Sequence, residues 1–241
     1  MVDNVLLTRT LVDFASRLVS DYDISEMLPH LCDRTAEVLP VSGAGVMLVD
    51  EGGHLRFVAA SNDTVRTIET LQVELGEGPC LRAYQTGEQV VVPDLAGGGE
   101  LFPSFAERAL QAGMRAVYSF PMRVGGQRIG AFNLYDSDPG DFDKEDRVAA
   151  QGLADVATTT ILNQRTLAES NRLVTQLQHA LDSRIIVEQA KGKLSEQLDV
   201  SVAEAFEVLR RHARSHGRKL QLVAADVMSG ELDLRPGSDG R

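Results

Sequence analysis

The longest stretch of this sequence without a glycine or a proline runs from Leu153 to Lys191. Glycine and proline are the poorest helix formers, so their absence allows one continuous helix here. The other elements must then be arranged before and after this helix. The apolar fraction of 43% and the charged fraction of 24% are typical of a soluble globular protein.

Apolar residues recur along this helix at the spacing of a coiled coil. A 3-4 spacing counted from Leu153 gives ten core positions, and six are apolar: Leu153, Val156, Leu167, Val174, Leu177 and Leu181. The other four are Thr160, Asn163, Ser170 and Arg184. The pattern favours a helix that holds a homodimer together. The alternative is a helix that lies along the surface of a domain.

The residues before this helix indicate an α+β fold, an antiparallel sheet with flanking helices. Apolar residues at helical spacing predict helices over 5–19 and 24–39, and β-like runs predict strands over 43–50, 54–60 and 89–92. Residues 115–136 predict a hairpin whose turn is Gly125-Gly126. Pro121 lacks an N–H donor, so its strand should be bulged or at an edge there.

No metal or redox motif is present. The acidic run PGDFDKEDR, 139–147, lacks the spacing of a calcium loop, and Asp141 or Asp143 is expected to cap the long helix instead. Cys32 and Cys80 match no metal knuckle or CxxC pair. We therefore expect no metal and no cofactor.

The positive charge is concentrated near the C-terminus. Residues 184–241 contain 10 Lys+Arg and 9 Asp+Glu, whereas the whole chain has 24 and 35. Residues 208–225 contain five cations and no carboxylate. An anionic polymer would therefore bind here. Because the sequence has no signal peptide and no apolar run of about 20 residues, we expect a cytoplasmic protein and no membrane partner.

Two short helices follow the long one. Ser201 and Glu204 form a capping box, and one arc of the next helix carries Val202, Ala205, Phe206, Leu209 and Ala213. Gly217 can end this helix. A third helix, with Leu220, Val223, Ala224 and Val227 on one side, ends at Gly230, and residues 233–241 read as a disordered tail.

Residues 184–228 resemble the ANTAR domain, a small helical RNA-binding module of bacterial antitermination regulators. The signs are Gln189-Ala190-Lys191-Gly192, Ala205-Phe206, Leu209-Arg210 and Ala213, followed by Lys219-Leu220 and Val223-Ala224. The resemblance implies a three-helix bundle with Ala190, Ala205, Phe206, Leu209 and Ala213 in its core. It implies that the partner is RNA, a hairpin in a leader transcript.

The N-terminal part resembles the GAF domain, a small-molecule-sensing α+β module. The signs are GEGPCLRAYQTGEQVVVPDL, FPMRVGGQRIGAFNLY and FDKEDR. Together the two resemblances imply a GAF–ANTAR regulator of transcription antitermination that is not an enzyme. The implied organisation is a sensor domain over 1–160, a coiled-coil helix over 161–183, an ANTAR domain over 184–232 and the tail. The resemblance leaves the GAF ligand unknown.

The residues expected to bind RNA are the cations of the ANTAR-like region and the glycine between two of them: Arg184, Lys191, Gly192, Arg210, Arg211, Arg214, Arg218 and Lys219. Arginine matches phosphate geometry, so affinity should fall with salt. Lys191 is expected on an exposed helix face. Gly192 would let a neighbouring helix approach closely; the alternative is that it marks fraying. Stacking of bases on aromatic rings is not expected, because Phe206 is predicted on the core side.

Cys80 is the candidate residue of a sensor ligand pocket. A following helix N-terminus could shift the acidity of its thiol, or the residue could be a structural, half-buried cysteine. One alternative function is a ligand- or redox-active GAF protein whose helical tail mediates dimerisation. Another is a docking protein whose cations meet an acidic protein.

Overall fold

The structure is a computed structural model that describes residues 4–17, 24–98 and 101–235. These residues divide into two compact units, with the boundary between Thr166 and Leu167. No helix among them combines the length and the apolar character that are needed to cross a membrane.

The first unit contains an antiparallel sheet with helices before, between and after its strands. The helices are α1 (Asn4–Arg17), α2 (Ile24–Val38), α3 (Asp63–Leu75), α4 (Pro79–Thr86), α5 (Leu95–Gly98), α6 (Pro103–Gln111) and the start of α7 (Lys144–Leu198). The strands are β1 (Gly43–Val49), β2 (Leu55–Ala60), β3 (Val90–Val92), β4 (Ala116–Val124) and β5 (Gln127–Asp136). Their order is β2-β1-β5-β4-β3, and every pair is antiparallel. The predicted α+β fold is confirmed.

The β4–β5 hairpin forms as predicted. Gly125 and Gly126 have φ angles of 55° and 88°, the left-handed conformation that a two-residue turn requires. Pro121 pairs with Ala131 of β5, and the pairing with β3 extends along β4 only to Ser119. Its missing N–H therefore interrupts no ladder with β3, and the register shift follows directly, between Met122 and Arg123.

The two faces of the sheet are covered by different helices. On one face, Phe132 and Leu134 of β5 pack with α1, α2 and the start of α7. On the other face, Tyr135 packs with α3, α5 and α6. Successive residues of a strand point to opposite faces, so Asn133 and Tyr135 share the α3 face.

Helices α3, α5 and α6 were not predicted from the sequence. The α3 helix begins after Asn62, whose side-chain oxygen accepts a hydrogen bond of 2.9 Å from the N–H of Val65. It ends at Gly76, which has a φ of 62°. The face that α3 turns toward the sheet contains both apolar residues, such as Ile68, and fully buried polar residues, such as Glu69 and Gln72.

The long helix α7 forms and extends past both ends of the glycine-free stretch. Asp143 caps it, because its Oδ1 accepts a hydrogen bond from the N–H of Asp146 at 2.8 Å. The start of the apolar stripe belongs to the first core, where Leu153 is fully buried and Val156 partly buried. Four later residues of the stripe are 53–61% exposed: Leu167, Val174, Leu177 and Leu181.

The second unit contains the rest of α7, α8 (Val202–Ser215) and α9 (Leu220–Ser229). Its core consists of small and branched apolar side chains: Ala190, Leu194, Ala205, Leu209, Ala213, Val223, Ala224 and Val227. Gly217 and Gly230 follow α8 and α9 with φ angles of 61° and 85°, as expected for residues that end helices. Residues 236–241 of the predicted tail lie outside the described residues.

The predicted capping box at the start of α8 is present. Ser201 accepts from the N–H of Glu204 at 3.2 Å, and Glu204 Oε2 accepts from the N–H of Ser201 at 2.9 Å. Replacing Ser201 with alanine removes one cap and should destabilise α8 by about 1 kcal/mol. We expect faster hydrogen exchange of the α8 amides, with exchange in β5 as the internal control. Unchanged exchange in α8 would show that the cap contributes nothing.

Candidate functional sites

Lys193 supports the fold of the second unit. Its Nζ donates hydrogen bonds to the carbonyl oxygens of Val227 at 2.8 Å and Met228 at 3.3 Å, at the C-terminal end of α9. A helix C-terminus carries unsatisfied carbonyls and partial negative charge, so a lysine is favourable here. This ammonium group is therefore engaged within the chain.

The sequence predicted that Lys191 lies on an exposed helix face, but the structure does not place it on one. Only 17% of its side chain is exposed, and its Nζ is 2.8 Å from Glu188 Oε2 and 5.3 Å from the centre of the Phe206 ring. The reason is the packing of α7 beside α8, which places the lysine between a carboxylate on its own helix and the aromatic ring.

Phe206 also differs from its predicted place. Ala190, Ala205, Leu209 and Ala213 lie in the buried core, whereas Phe206 is only partly buried and lies at its border. The ring is at the edge of the arc that faces the core, where Lys191 covers it. Phe206 therefore does not lie wholly on the core side, and the expectation that bases do not stack on an aromatic ring stays a prediction.

Gly192 fits neither of its two interpretations. A Cβ at this position would meet nothing within 4 Å among the described residues, so no neighbouring helix of this chain requires the glycine. The helix also continues to Leu198, so Gly192 does not mark its end. Glycine within a helix costs roughly 1 kcal/mol relative to alanine. The fold thus gives no reason for a glycine at this exposed position.

The exposed cations that the sequence predicted to bind RNA divide into two groups. Arg210 pairs with Glu207 at 3.3 Å, and Arg218 pairs with Asp226 at 2.7 Å. Four other predicted RNA-binding residues are exposed and form no ion pair with any described residue: Arg184, Arg211, Arg214 and Lys219. The unit therefore retains an accessible cationic surface, which we define as these four residues.

The position of these cations follows from the packing of α8. Ala205, Leu209 and Ala213 face the core, so Arg211 and Arg214 point away from it. On α7, Ser183 donates a hydrogen bond of 2.8 Å to Gln221 near the start of α9. This contact brings the turns that carry Arg184 and Lys219 near each other.

The first unit contains a polar cluster under α3, between the helix and the sheet. Glu69 is fully buried, and its Oε1 and Oε2 accept hydrogen bonds from Asn133 Nδ2 at 2.8 and 3.0 Å. Tyr135 is the other side chain that lowers the pKa of this carboxyl group. Burial raises the pKa of Glu69 to about 8, because desolvation disfavours the charged form more than these bonds favour it.

The sheet is shaped to receive this carboxyl group. Gly45 of β1 pairs with Asn133, and a Cβ at Gly45 would lie 2.3 Å from Glu69 Oε1. Any side chain at Gly45 would occupy the space of the carboxyl group. On the other side of Asn133, its cross-strand neighbour is Ser119 of β4, which is also fully buried.

The cluster continues into the GEGPC segment that follows α3. Gln72 Nε2 donates to Tyr135 Oη at 2.9 Å, and Gln72 Oε1 accepts from the N–H of Cys80 at 2.9 Å. A Cβ at Gly78 would lie 2.2 Å from Gln72 Oε1, so the glycine permits this contact. Gln72 thereby satisfies an N–H in the first turn of α4, which has no side-chain cap of its own.

Cys80 does not have an acidic thiol, although it lies in the first turn of α4. It is fully buried, and desolvation raises the pKa of the thiol well above its ordinary value. The thiol is therefore protonated at neutral pH. Cys32 is also buried with a raised pKa, and the two cysteines belong to different core clusters.

A pocket of about 230 Å³ lies beside Cys80. It is lined by residues of the β1–β2 turn, β2, α3 and α4: Gly53, His54, Leu55, Val73, Leu81, Tyr84 and Gln85. Leu55, Val73, Leu81 and Tyr84 pack in the same apolar cluster as Cys80. The pocket and the polar cluster are thus neighbouring parts of one face of the sheet.

The cluster and the pocket were missed in the sequence. Glu69, Gln72, Ser119, Asn133 and Tyr135 lie in three different elements, and no short motif contains them. One signal was available: Val65, Ile68, Glu69 and Gln72 have the i, i+3, i+4, i+7 spacing of a buried helix face, on which Glu and Gln are unusual.

Family models match both units. The GAF domain model matches residues 21–161, and the ANTAR domain model matches residues 175–228. None of the curated proteins that were compared matches the chain significantly.

Solved structures share the fold of the first unit. The GAF domain of an Acinetobacter phosphoenolpyruvate-protein phosphotransferase is 15% identical, with a TM-score of 0.54 over 68% of this chain and 97% of that one. The corresponding Coxiella burnetii domain is 16% identical, with a TM-score of 0.53 over 69% and 99%. The free methionine-R-sulfoxide reductase of Neisseria meningitidis is 19% identical, with a TM-score of 0.53 over 68% and 92%.

The predicted GAF–ANTAR architecture is therefore confirmed. The sheet order, the helices on both faces and the three-helix core after Arg184 agree with the two matched regions. The chain belongs to the GAF domain family and carries an ANTAR domain after its GAF domain.

Proposed function

We propose that this protein is an RNA-binding regulator of transcription antitermination, in which the GAF domain senses a signal and the ANTAR domain binds hairpins in leader transcripts. The observation that carries the proposal is the cationic surface Arg184, Arg211, Arg214 and Lys219, which is exposed and unpaired among the described residues of the ANTAR unit. The rest of the chain is strongly acidic, so RNA would be repelled elsewhere.

The chemistry of the surface suits a folded RNA. Arginine guanidinium groups bind phosphate in a two-pronged geometry, and their planes can stack on unpaired bases. Phe206 lies on α8, the helix that also carries Arg211 and Arg214, and its partly buried ring has Lys191 over it. Gly192 would let an RNA backbone approach α7 closely, which gives this glycine a role that the fold does not provide.

The protein is proposed to act as a homodimer. Leu173, Val174, Leu177, Leu181 and Ile185 are each at least 55% exposed, and they lie on or beside the 3-4 stripe of α7. A row of leucines with nothing over it is an unfavourable surface in water. A parallel copy of the same helix would bury this stripe and present two RNA-binding surfaces.

Polar substitution of the stripe should dissociate the dimer. Replacing Leu177 and Leu181 with asparagine removes two apolar core residues per helix, and we expect the dissociation constant to rise at least tenfold. Sedimentation equilibrium over a concentration series measures this change. Leu75→Asn, at an exposed leucine of α3, is the control and should behave like the wild type. Equal sedimentation of all three proteins would contradict a dimer through α7.

The signal is proposed to reach the ANTAR unit through α7. Leu153 and Ile161 of α7 lie in the core of the first unit, and Ala190 and Leu194 of the same helix lie in the core of the second. A ligand that binds two arrangements of the GAF domain differently would change the population of α7 geometries. Only one of these geometries would place the two RNA-binding surfaces of the dimer correctly for binding RNA.

The protein is proposed not to be an enzyme. A redox role for Cys80 needs a thiolate and a nearby resolving thiol. Cys80 is buried with a raised pKa, and Cys32 belongs to the core on the other face of the sheet.

The proposed place of action is the cytoplasm, where leader transcripts are made.

Transcription in vitro tests the function. The template encodes a leader with two hairpins, the second overlapping a terminator, and full-length protein is added before elongation. We expect more read-through with protein and no increase when the loop bases are replaced. If the wild type never raises read-through on leaders recovered by crosslinking it to cellular RNA, antitermination is excluded as its function.

A further inference from the structure

The buried cluster in the GAF domain contains polar groups that the protein leaves unpaired. Asn133 Oδ1 and Ser119 Oγ are buried and have no hydrogen-bond partner among the described residues. Both side chains lie on the α3 face of the sheet, at directly paired positions of β5 and β4. An unpaired buried polar group is unfavourable, so two adjacent ones indicate a place for another molecule.

Among the described residues, no positively charged group acts on the cluster. Burial raises the pKa of Glu69, and the side chains of Asn133 and Tyr135 lower it. No cation contributes to this pKa. The titratable groups that interact with Glu69 from neighbouring elements are Cys32 of α2, Cys80 of α4 and Tyr135 of β5. Burial raises the pKa of all three, so they are neutral at pH 7. When Glu69 ionises, its carboxylate therefore has no cation beside it among the described residues.

We propose that this cluster binds the ammonium group of a small primary amine, whose apolar substituent extends into the neighbouring pocket. The ammonium group has three donors, and the cluster offers three acceptors: the Glu69 carboxylate, Asn133 Oδ1 and Ser119 Oγ. The pocket of about 230 Å³ provides apolar walls from Leu55, Val73 and Leu81. This inference rests on the proposed sensor role of the GAF domain and does not depend on RNA binding.

Entry of the amine requires α3 and α4 to separate locally. The hydrogen bond of 2.9 Å between Gln72 Oε1 and the N–H of Cys80 joins these two helices. Two of the pocket residues that come from these helices, Val73 and Leu81, directly follow the two bonded residues. Binding would therefore change the position of α4, and such a local change is what a sensor needs.

Binding should depend on pH in a defined direction. A protonated Glu69 must release its proton when the ammonium group binds, because the carboxylate is the stronger partner of the cation. The apparent affinity should then rise about tenfold per pH unit between pH 6 and 8, as expected for the release of one proton. A purely structural role of Glu69 would not produce this dependence.

Thermal unfolding of the full chain with n-butylammonium chloride tests the proposal. We expect a saturable rise in Tm of roughly 5 °C or more at concentrations far above Kd. Tetramethylammonium chloride, a cation without donors, and n-butanol, an uncharged chain, should produce no saturable rise. Glu69→Gln should abolish the response, whereas Glu74→Gln, at an exposed position of the same helix, should retain it.

Ser119→Ala gives a second test that does not depend on Glu69. Removal of an unpaired hydroxyl should leave the ligand-free Tm unchanged or higher, while the affinity for n-butylammonium falls at least threefold. The proposal is overturned if the wild type shows no saturable rise, or if Glu69→Gln responds like the wild type. It is also overturned if tetramethylammonium is equally effective. RNA binding is measured separately by titration without amine. None of these outcomes would contradict the proposed RNA-binding function.

Discussion

Replacing Arg211 and Arg214 together with glutamine is expected to weaken the binding of a leader hairpin by roughly 30-fold or more, about 2 kcal/mol. The two guanidinium groups point away from the core and form no ion pair with any described residue, so their charge is available to an external anion. Because neither side chain supports the fold, circular dichroism should be unchanged.

The salt dependence separates phosphate binding from other contributions. If both arginines bind phosphate, the plot of log affinity against log salt should be less steep for the variant. Its negative slope should become smaller in magnitude by about 0.7–0.9 for each phosphate that the variant no longer neutralises. Fluorescence anisotropy with a labelled hairpin at several salt concentrations gives both the affinity and the slope.

The matched control is Arg165→Gln with Arg172→Gln. These arginines are exposed on α7, but they precede the region that matches the ANTAR domain. The control has the same change in net charge, so it removes the same general attraction for RNA. Equal affinities of the two double variants would locate the interface elsewhere. A weaker affinity confined to the Arg211 and Arg214 variant would support the surface that we define.

Replacing Glu69 with glutamine is expected to remove much of the pH dependence of stability between pH 4.5 and 8. The folded carboxyl group has a pKa of about 8, against an ordinary value of 4.5. In this interval the folded protein keeps a proton that the unfolded chain has released. Stability therefore falls as the pH rises, by up to an order of 4 kcal/mol for this group.

Urea denaturation of the GAF unit, followed at several pH values, measures this effect. Glutamine has the shape of a protonated glutamate and does not ionise, so Glu69→Gln should be more stable than the wild type at pH 8. The difference should shrink toward pH 5. Glu74→Gln should follow the wild type at every pH, because Glu74 is exposed. A constant difference across the range would show that Glu69 ionises normally.

Much of the fold could be predicted because its signals are local. Gly125-Gly126 requires a turn, Ser201 with Glu204 requires a helix start, and the glycine-free stretch requires a helix. Each depends on residues that are close in sequence. The helix α3 was missed although its cap, Asn62, is local, whereas the start of the missed helix α6 depends on a residue that is distant in sequence. The first turn of α6 is capped by Glu77, whose Oε1 accepts from the N–H of Ser104 at 2.9 Å and of Phe105 at 3.1 Å.

In the candidate RNA site, too, local sequence signals do not predict the contacts between helices. The sequence identified the cations, but it could not show which of them the fold uses. Lys191 and Lys193 are adjacent to Gly192, yet one covers a ring of α8 and the other caps α9. Arg211 and Arg214 stay unpaired because the core residues of α8 turn them outward. Such differences depend on how the helices cross, which residue spacing within one helix does not specify.

The bare middle of α7 has a further consequence. Every residue from 165 to 182 is exposed, so this segment has no tertiary packing from its own chain. A mostly polar helix of this length is marginal in water without such packing. Helix formation in this segment should therefore be coupled to the proposed self-association. A protease should cut the monomer in this segment first and leave two folded fragments, whereas the proposed dimer should resist cleavage.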